Sequence, residues 1–139
     1  WCCKTLKSLA KGQSWSLLPL YQSELLSGEG VESDKFFVRK LLQVAYAGYE
    51  KYSAMVAESV EGWEKERLFS TDVVLIAMGL AEVVTFPTIP VKVTMNEYVE
   101  ISKYYGTPKS RSFVNGLLDK LVAKLNEDGQ IKKEGKGLL

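Results

Sequence analysis

Lys109-Ser110-Arg111-Ser112 places two cations and two hydroxyls between a turn and an apolar run, with Phe113 directly behind them. At the start of a helix such groups coincide with backbone N–H groups that lack an intrahelical acceptor, which makes this stretch a candidate anion site. An ordinary solvated first turn explains the same residues, and on residue types alone that reading weighs more, because charge at helix ends is common. Other chemistries are poorly supplied. The chain has no His, so the commonest general base and nitrogen metal ligand are missing. Glu97, Glu100 and Asp119 can form an acid/base pair in principle, but capping and solvation account for them first. There is no CxxC, no HExxH, no phosphate-cradling glycine loop and no Ser/His/Asp set. Catalytic residues, metal ligands and cofactors are therefore expected to be none, and the chain is not expected to be an enzyme.

The elements around this stretch read as helices. Gly106 suits a left-handed helix C-cap, Thr107 an N-cap with Pro108 at the first helical position, and Ser110 is the rival cap. Beyond them Phe113, Val114, Leu117, Leu118, Leu121, Val122 and Leu125 make one wide apolar stripe. Upstream, Thr94-x-x-Glu97 reads as a capping box, with Val93 stapled onto Tyr98. Val99, Ile101 (or Tyr98 and Ser102) and Tyr105 continue the apolar face of that helix. Phe86-Pro87 and Ile89-Pro90 form a rigid connector before it. Residues 73–84, VVLIAMGLAEVV, are apolar almost all round and predict a central buried helix starting near Ser70 or Thr71, although Gly79 and the β-branched residues also permit a strand. A longer helix is expected from Ser33 or Asp34 to about Val60, its face set by Phe37, Leu41, Val44, Ala45 and Gly48, with Gly62 ending it. Trp63 is expected to anchor a core.

Three regions follow: a segment 1–33 with short helices, a helical domain 34–126, and a polar tail 127–139 expected to fray. The fold class is all-α, a helical bundle. The 139 residues suffice for one core, and no apolar run approaches the roughly 20 residues that span a bilayer. Adjacent Cys2 and Cys3 make no disulfide framework and suit a reducing compartment. Trp1 in place of an initiating Met raises the expectation of a processed or excised piece. The net charge of +1 hides a gradient: residues 103–139 carry 8 Lys+Arg against 4 Asp+Glu, and residues 54–100 carry 3 against 8. The first balance suits a polyanion and the second a basic partner, although charge runs are usually solvated faces.

Two patterns carry a family resemblance. The first is P-x-K-V-x-x-N-E-x-x-E-x-x-K-x-x-G from Pro90 to Gly106. The second is S-x-x-F-V-N-G-x-L-D from Ser110 to Asp119. Together they resemble the C-terminal half of the NusB family of transcription antitermination factors. Weaker similarity extends upstream through Arg67-Leu68 to Phe37-x-x-Lys40-Leu41-Leu42, and the wording is most like the extended NusB proteins of Bacteroidetes-type bacteria.

The resemblance implies a NusB-type helical bundle in a cytoplasmic protein. It implies pairing with the small ribosomal subunit protein that doubles as NusE, binding of boxA-type RNA, and action on the RNA polymerase antitermination complex in support of ribosomal RNA synthesis. By position, Lys109, Ser110, Arg111 and Phe113 lie where the family contacts RNA, and Asp72 aligns with an acidic position facing NusE. Asn96, Glu97, Asn115 and Asp119 are signature positions; Asn96, Asn115 and Asp119 are expected to tie the last two helices, and Gly116 to permit close packing. An aromatic beside two cations supplies both stacking and phosphate contacts, yet Phe113 also begins the apolar stripe. One departure stands out: the family's arginine-rich first helix has no counterpart in residues 1–33, which hold only Lys4, Lys7 and Lys11. The alternatives are a NusB-like RNA-targeting domain of an RNA methyltransferase, or a protein-interaction bundle without RNA binding.

Overall fold

Among the described residues four helices follow one another along the chain, and the spacing of buried side chains explains each. The computed structural model describes residues 31–60 and 69–139. Expectations for residues 1–30, Gly62, Trp63 and the charged run 64–67 lie outside the described residues. Helix α1 spans Val31–Ser59, two or three residues earlier than the expected caps, a difference within ordinary boundary variation. Its buried Leu41, Ala45, Tyr52 and Val56 recur at steps of four and seven, so they share one face. The Phe37 ring packs against Phe86 at 4.9 Å between centroids.

Helix α2, Ser70–Thr85, is the centre of the unit formed by Phe36–Leu139. Nine of its residues are buried, including Ile76 and Leu80 with no exposed surface. The helical alternative prevails over the strand because a sixteen-residue run buried on most sides satisfies its own backbone. Gly79 has a packing reason, since a Cβ there would sit 3.2 Å from both Leu118 Cδ2 and Tyr98 Cδ2.

After the connector Phe86–Pro90, α3 spans Val91–Tyr105 and α4 spans Ser110–Glu127. Helices α2, α3 and α4 pack against one another in every pair. The predicted stripe of α4 is observed: Val114, Leu117, Leu118, Leu121, Val122 and Leu125 are buried, and Phe113 packs partly buried at its edge.

The capping box, the Gly106 cap and the frayed tail need correction. Helix α3 starts directly after Pro90, whose ψ of 140° leads straight into the helix and whose carbonyl accepts the N–H groups of Val93 and Thr94. Thr94 is therefore the fourth helical residue and points into the core, so Thr94 and Glu97 form no capping box; Glu97 and Val93 are exposed. Gly106 is extended at φ −103° and ψ −172°, and not left-handed. The left-handed helix cap is instead Gly129, at φ 66°, which ends α4 with Gly129 N–H on the Asn126 carbonyl and Gln130 N–H on that of Leu125, the Schellman pattern. Finally, the tail does not fray. Ile131 packs on the core, Lys133 Nζ donates to the Phe86 carbonyl at 2.9 Å, and Glu134 N–H donates to that of Pro87 at 3.0 Å. A short 3-10 helix, Gly135–Leu138, follows, with Gly137 so close to the Pro87 carbonyl that a Cβ has no room. A proline-bearing connector leaves carbonyls without helical partners, and the tail supplies the donors.

Candidate functional site

The chain reverses between α3 and α4 through Gly106-Thr107-Pro108-Lys109. Gly106 N–H donates to the Ser102 carbonyl at 2.9 Å, and Ser110 N–H to that of Thr107 at 2.9 Å. A Cβ on Gly106 would overlap the Ser110 side chain and stand 2.6 Å from the Ser102 carbonyl oxygen. Glycine is thus required by space at this position. Lys109 precedes α4 in a helical conformation and makes no side-chain cap. Thr107 and Ser110, the two expected caps, act together: the Thr107 N–H donates to Ser110 Oγ at 2.8 Å, and the two hydroxyl oxygens lie 3.2 Å apart.

Ser110 is 1% exposed and donates its proton to Asp72 Oδ2 at 2.8 Å. Asp72, in the first turn of α2, is 2% exposed. The expectation that Asp72 faces a protein partner is corrected by this burial: its carboxylate is committed to the turn inside the chain. Its second oxygen, Oδ1, is buried without a hydrogen-bond partner among the described residues.

The four residues expected to contact RNA therefore separate. Lys109 and Arg111 are exposed on the turn, Ser110 is internal, and Phe113 is half-buried. Ser112 is exposed and donates to the Lys109 carbonyl at 3.1 Å. Next to the cations in the chain stand two aromatic side chains that the sequence pattern does not single out as surface groups, Tyr104 at 79% and Tyr105 at 73% exposure. Tyr105, expected on the apolar face, continues the line of Thr94, Tyr98 and Ser102, but it is the last residue of α3 and lies past the last buried side chain, Ser102. The usable signal was position: an aromatic pair directly before a Gly-Thr-Pro turn overhangs the packed part of its helix.

The signature residues do not tie the last two helices. Asn115 Nδ2 donates to Asp119 Oδ2 at 3.2 Å within α4, an exposed pair four residues apart, and Asn96 and Glu97 are exposed on α3. Gly116 is exposed with none of the described residues near its missing Cβ, so close packing is not its role. The tie between helices is made elsewhere. Glu82 on α2 accepts Thr94 Oγ1 at 2.8 Å on one oxygen and the Tyr98 hydroxyl at 2.9 Å on the other. Burial pushes the Tyr98 hydroxyl far above its usual range, and the charge of Glu82 and the hydrogen bond to it add to the effect. Tyr98 is thereby fixed as a neutral donor. Burial lowers the Lys133 ammonium, and attraction to Glu82 opposes that. Two of the carboxylates considered for acid/base chemistry pair locally: Glu100 with Lys103, Asp119 with Asn115. Among the described residues no group of His, Cys, Asp and Glu is placed to hold a metal ion, and no helix is long and apolar enough to cross a membrane.

The model of the NusB family matches residues 5–123. The chain belongs to the NusB family. Among curated relatives, it is 32% identical over 107 residues to the transcription antitermination protein NusB of Salinibacter ruber, covering 77% of this chain and 67% of that protein. To the protein of the same name from Chloroherpeton thalassium it is 32% identical over 105 residues, covering 76% of this chain but only 50% of the relative. Among solved structures, T. maritima NusB aligns with a TM-score of 0.59 at 27% identity, covering 70% of this chain and 66% of that one. The all-helical NusB-type bundle is thus supported by sequence and by architecture, and the α3–α4 turn lies inside the matched region.

Proposed function

We propose that this NusB-family chain acts in transcription antitermination by pairing with the ribosomal protein NusE and contacting boxA-type RNA through the α3–α4 turn. The observation that carries this reading is the grouping of exposed Tyr104, Tyr105, Lys109 and Arg111 on one short segment whose backbone is held from within. Single-stranded RNA is bound by stacking of unpaired bases on aromatic faces and by cations on the phosphates. Acidic Glu97 and Glu100 on the outer face of α3, beside exposed Val93 and Ile101, suit a basic protein partner.

The test is binding of a boxA-type RNA oligonucleotide to the full chain, alone and with NusE, at two salt concentrations. Binding should tighten with the partner and weaken with salt. Changing Lys109 and Arg111 together to Ala should reduce the slope of log affinity against log salt by about 0.7 for each phosphate that is no longer neutralised. An unchanged slope would remove the turn from the RNA site.

A second reading, a protein-interaction bundle without RNA binding, is favoured by one feature. An open groove of ≈ 470 Å³ runs between α1 and α2, lined by Leu42, Tyr46, Tyr49, Val74 and Met78. A stable NusE complex with no RNA affinity would select that reading.

A further inference from the structure

We propose that Asp72 is a positioning residue for the RNA-contacting turn: acting through Ser110, its buried carboxylate fixes the backbone from Thr107 to Arg111 so that Lys109, Arg111 and Tyr105 are presented together. This inference rests on the reading of that turn as an RNA contact.

The order of donors and acceptors sets the direction of control. A serine hydroxyl has one proton and two lone pairs. Ser110 gives its proton to Asp72 Oδ2 at 2.8 Å, a carboxylate acceptor and hence the strongest available. Both lone pairs then face Thr107, and they accept its N–H at 2.8 Å and its hydroxyl at 3.2 Å. Without the carboxylate, the Ser110 proton turns toward Thr107 Oγ1 and the arrangement loses its single orientation. Lys109, the residue at the cap position of α4, makes no side-chain cap that could replace it. Gly106 leaves the space in which Ser110 sits. The link joins residues 38 apart, from the first turn of α2 to the first residue of α4.

The cost of Asp72 argues the same way. Its Oδ1 is buried with no partner among the described residues, and a half-satisfied carboxylate at 2% exposure is a poor choice for packing alone. A well-packed apolar side chain of similar volume avoids the desolvation cost of that unserved oxygen. What the carboxylate provides, and an apolar group does not, is a fixed acceptor beneath the turn.

Electrostatics and positioning predict opposite signs. Removing a negative charge behind a cationic surface strengthens binding of a polyanion if field alone matters. Positioning requires that affinity fall. The experiment measures binding of the boxA-type oligonucleotide to the full chain carrying Asp72→Ala, Ser110→Ala, both, or Asp72→Asn, with amide exchange at Thr107 followed in parallel. Asp72→Ala should lose about tenfold in affinity, the size of one hydrogen bond to a charged group, with the salt slope unchanged because Lys109 and Arg111 remain. Ser110→Ala should lose a similar amount, the double variant no more than either, and Asp72→Asn, which keeps an acceptor, should recover most of the loss. Thr107 exchange should quicken in the Ala variants. Unchanged or tighter binding by Asp72→Ala, or additive losses in the double variant, would overturn the inference while leaving the RNA reading standing. Absence of RNA binding by the unaltered chain would overturn both.

Discussion

Helix α2 buries two carboxylates, and they are held in opposite ways. Glu82, near its C-terminal end, uses both oxygens, one for Thr94 and one for Tyr98, and sits within the α2–α3 contact. Asp72, in its first turn, uses one oxygen for Ser110 and leaves the other without a partner among the described residues. A buried carboxylate with both oxygens served is a structural tie, and its removal strands the donors that met it. A half-served carboxylate adds less to stability and is better understood by what it orients. The two ends of one helix thus separate fold maintenance from presentation of the turn.

The comparison breaks if the two losses are alike. Glu82→Ala should lower the unfolding free energy by about 3 kcal/mol, because two buried hydroxyls lose their acceptor at once and a cavity opens. Asp72→Ala should cost roughly 1 kcal/mol, since the lost bond to Ser110 is partly offset by removing an unpartnered buried oxygen. Denaturant titration of both variants checks the ratio. An Asp72 loss equal to the Glu82 loss would make both residues structural ties.

Alkaline titration sharpens the Glu82 half. Tyr98 has a raised pKa, so the folded chain keeps its proton where the unfolded chain, with tyrosine near 10.0, releases it. Stability from this group is complete below pH 10 and declines as pH rises above it, by about 1.4 kcal/mol per pH unit. Tyr98→Phe should remove that part of the decline, leaving the smaller contribution of Tyr52, which burial also raises. An alkaline slope unchanged by Phe at position 98 would mean that the buried Tyr98, beside Glu82, does not keep its proton.

Much of this layout is legible in the residues, and the rest fails for identifiable reasons. Apolar spacing marks α1, α2 and α4 because each buries a face or nearly its whole surface in a contiguous core. The Gly106 to Ser110 turn is legible because glycine and proline constrain few alternatives. Thr94 misleads because T-x-x-E is a local pattern, whereas its partner Glu82 lies 12 residues upstream and Pro90 starts the helix earlier. Asp72 misleads more, since its partner is 38 residues away and no spacing rule connects them. The tail reads as frayed by composition, yet it docks through main-chain and lysine donors that composition does not register. Lys109 and Arg111 are legible as surface cations; Tyr104 and Tyr105 are not, because exposure at a helix end depends on where the neighbouring helices stop.

The smallest expected effect separates stability from presentation most cleanly. Gly116 lies in the interior of α4, exposed, and a methyl group added there would meet none of the described residues within 4 Å. Gly79 differs, because its Cβ would press on Leu118 and Tyr98. Gly116→Ala should therefore raise stability by about 0.5–1 kcal/mol, through better helix propensity and a less mobile unfolded chain. The substitution touches neither Asp72 nor Ser110. If order in the turn comes from the Asp72 link, RNA affinity and Thr107 exchange should stay as they were while the denaturant midpoint moves up. If affinity instead rises in step with stability, the turn draws its order from α4 as a whole, and the distinction between the two ends of α2 collapses.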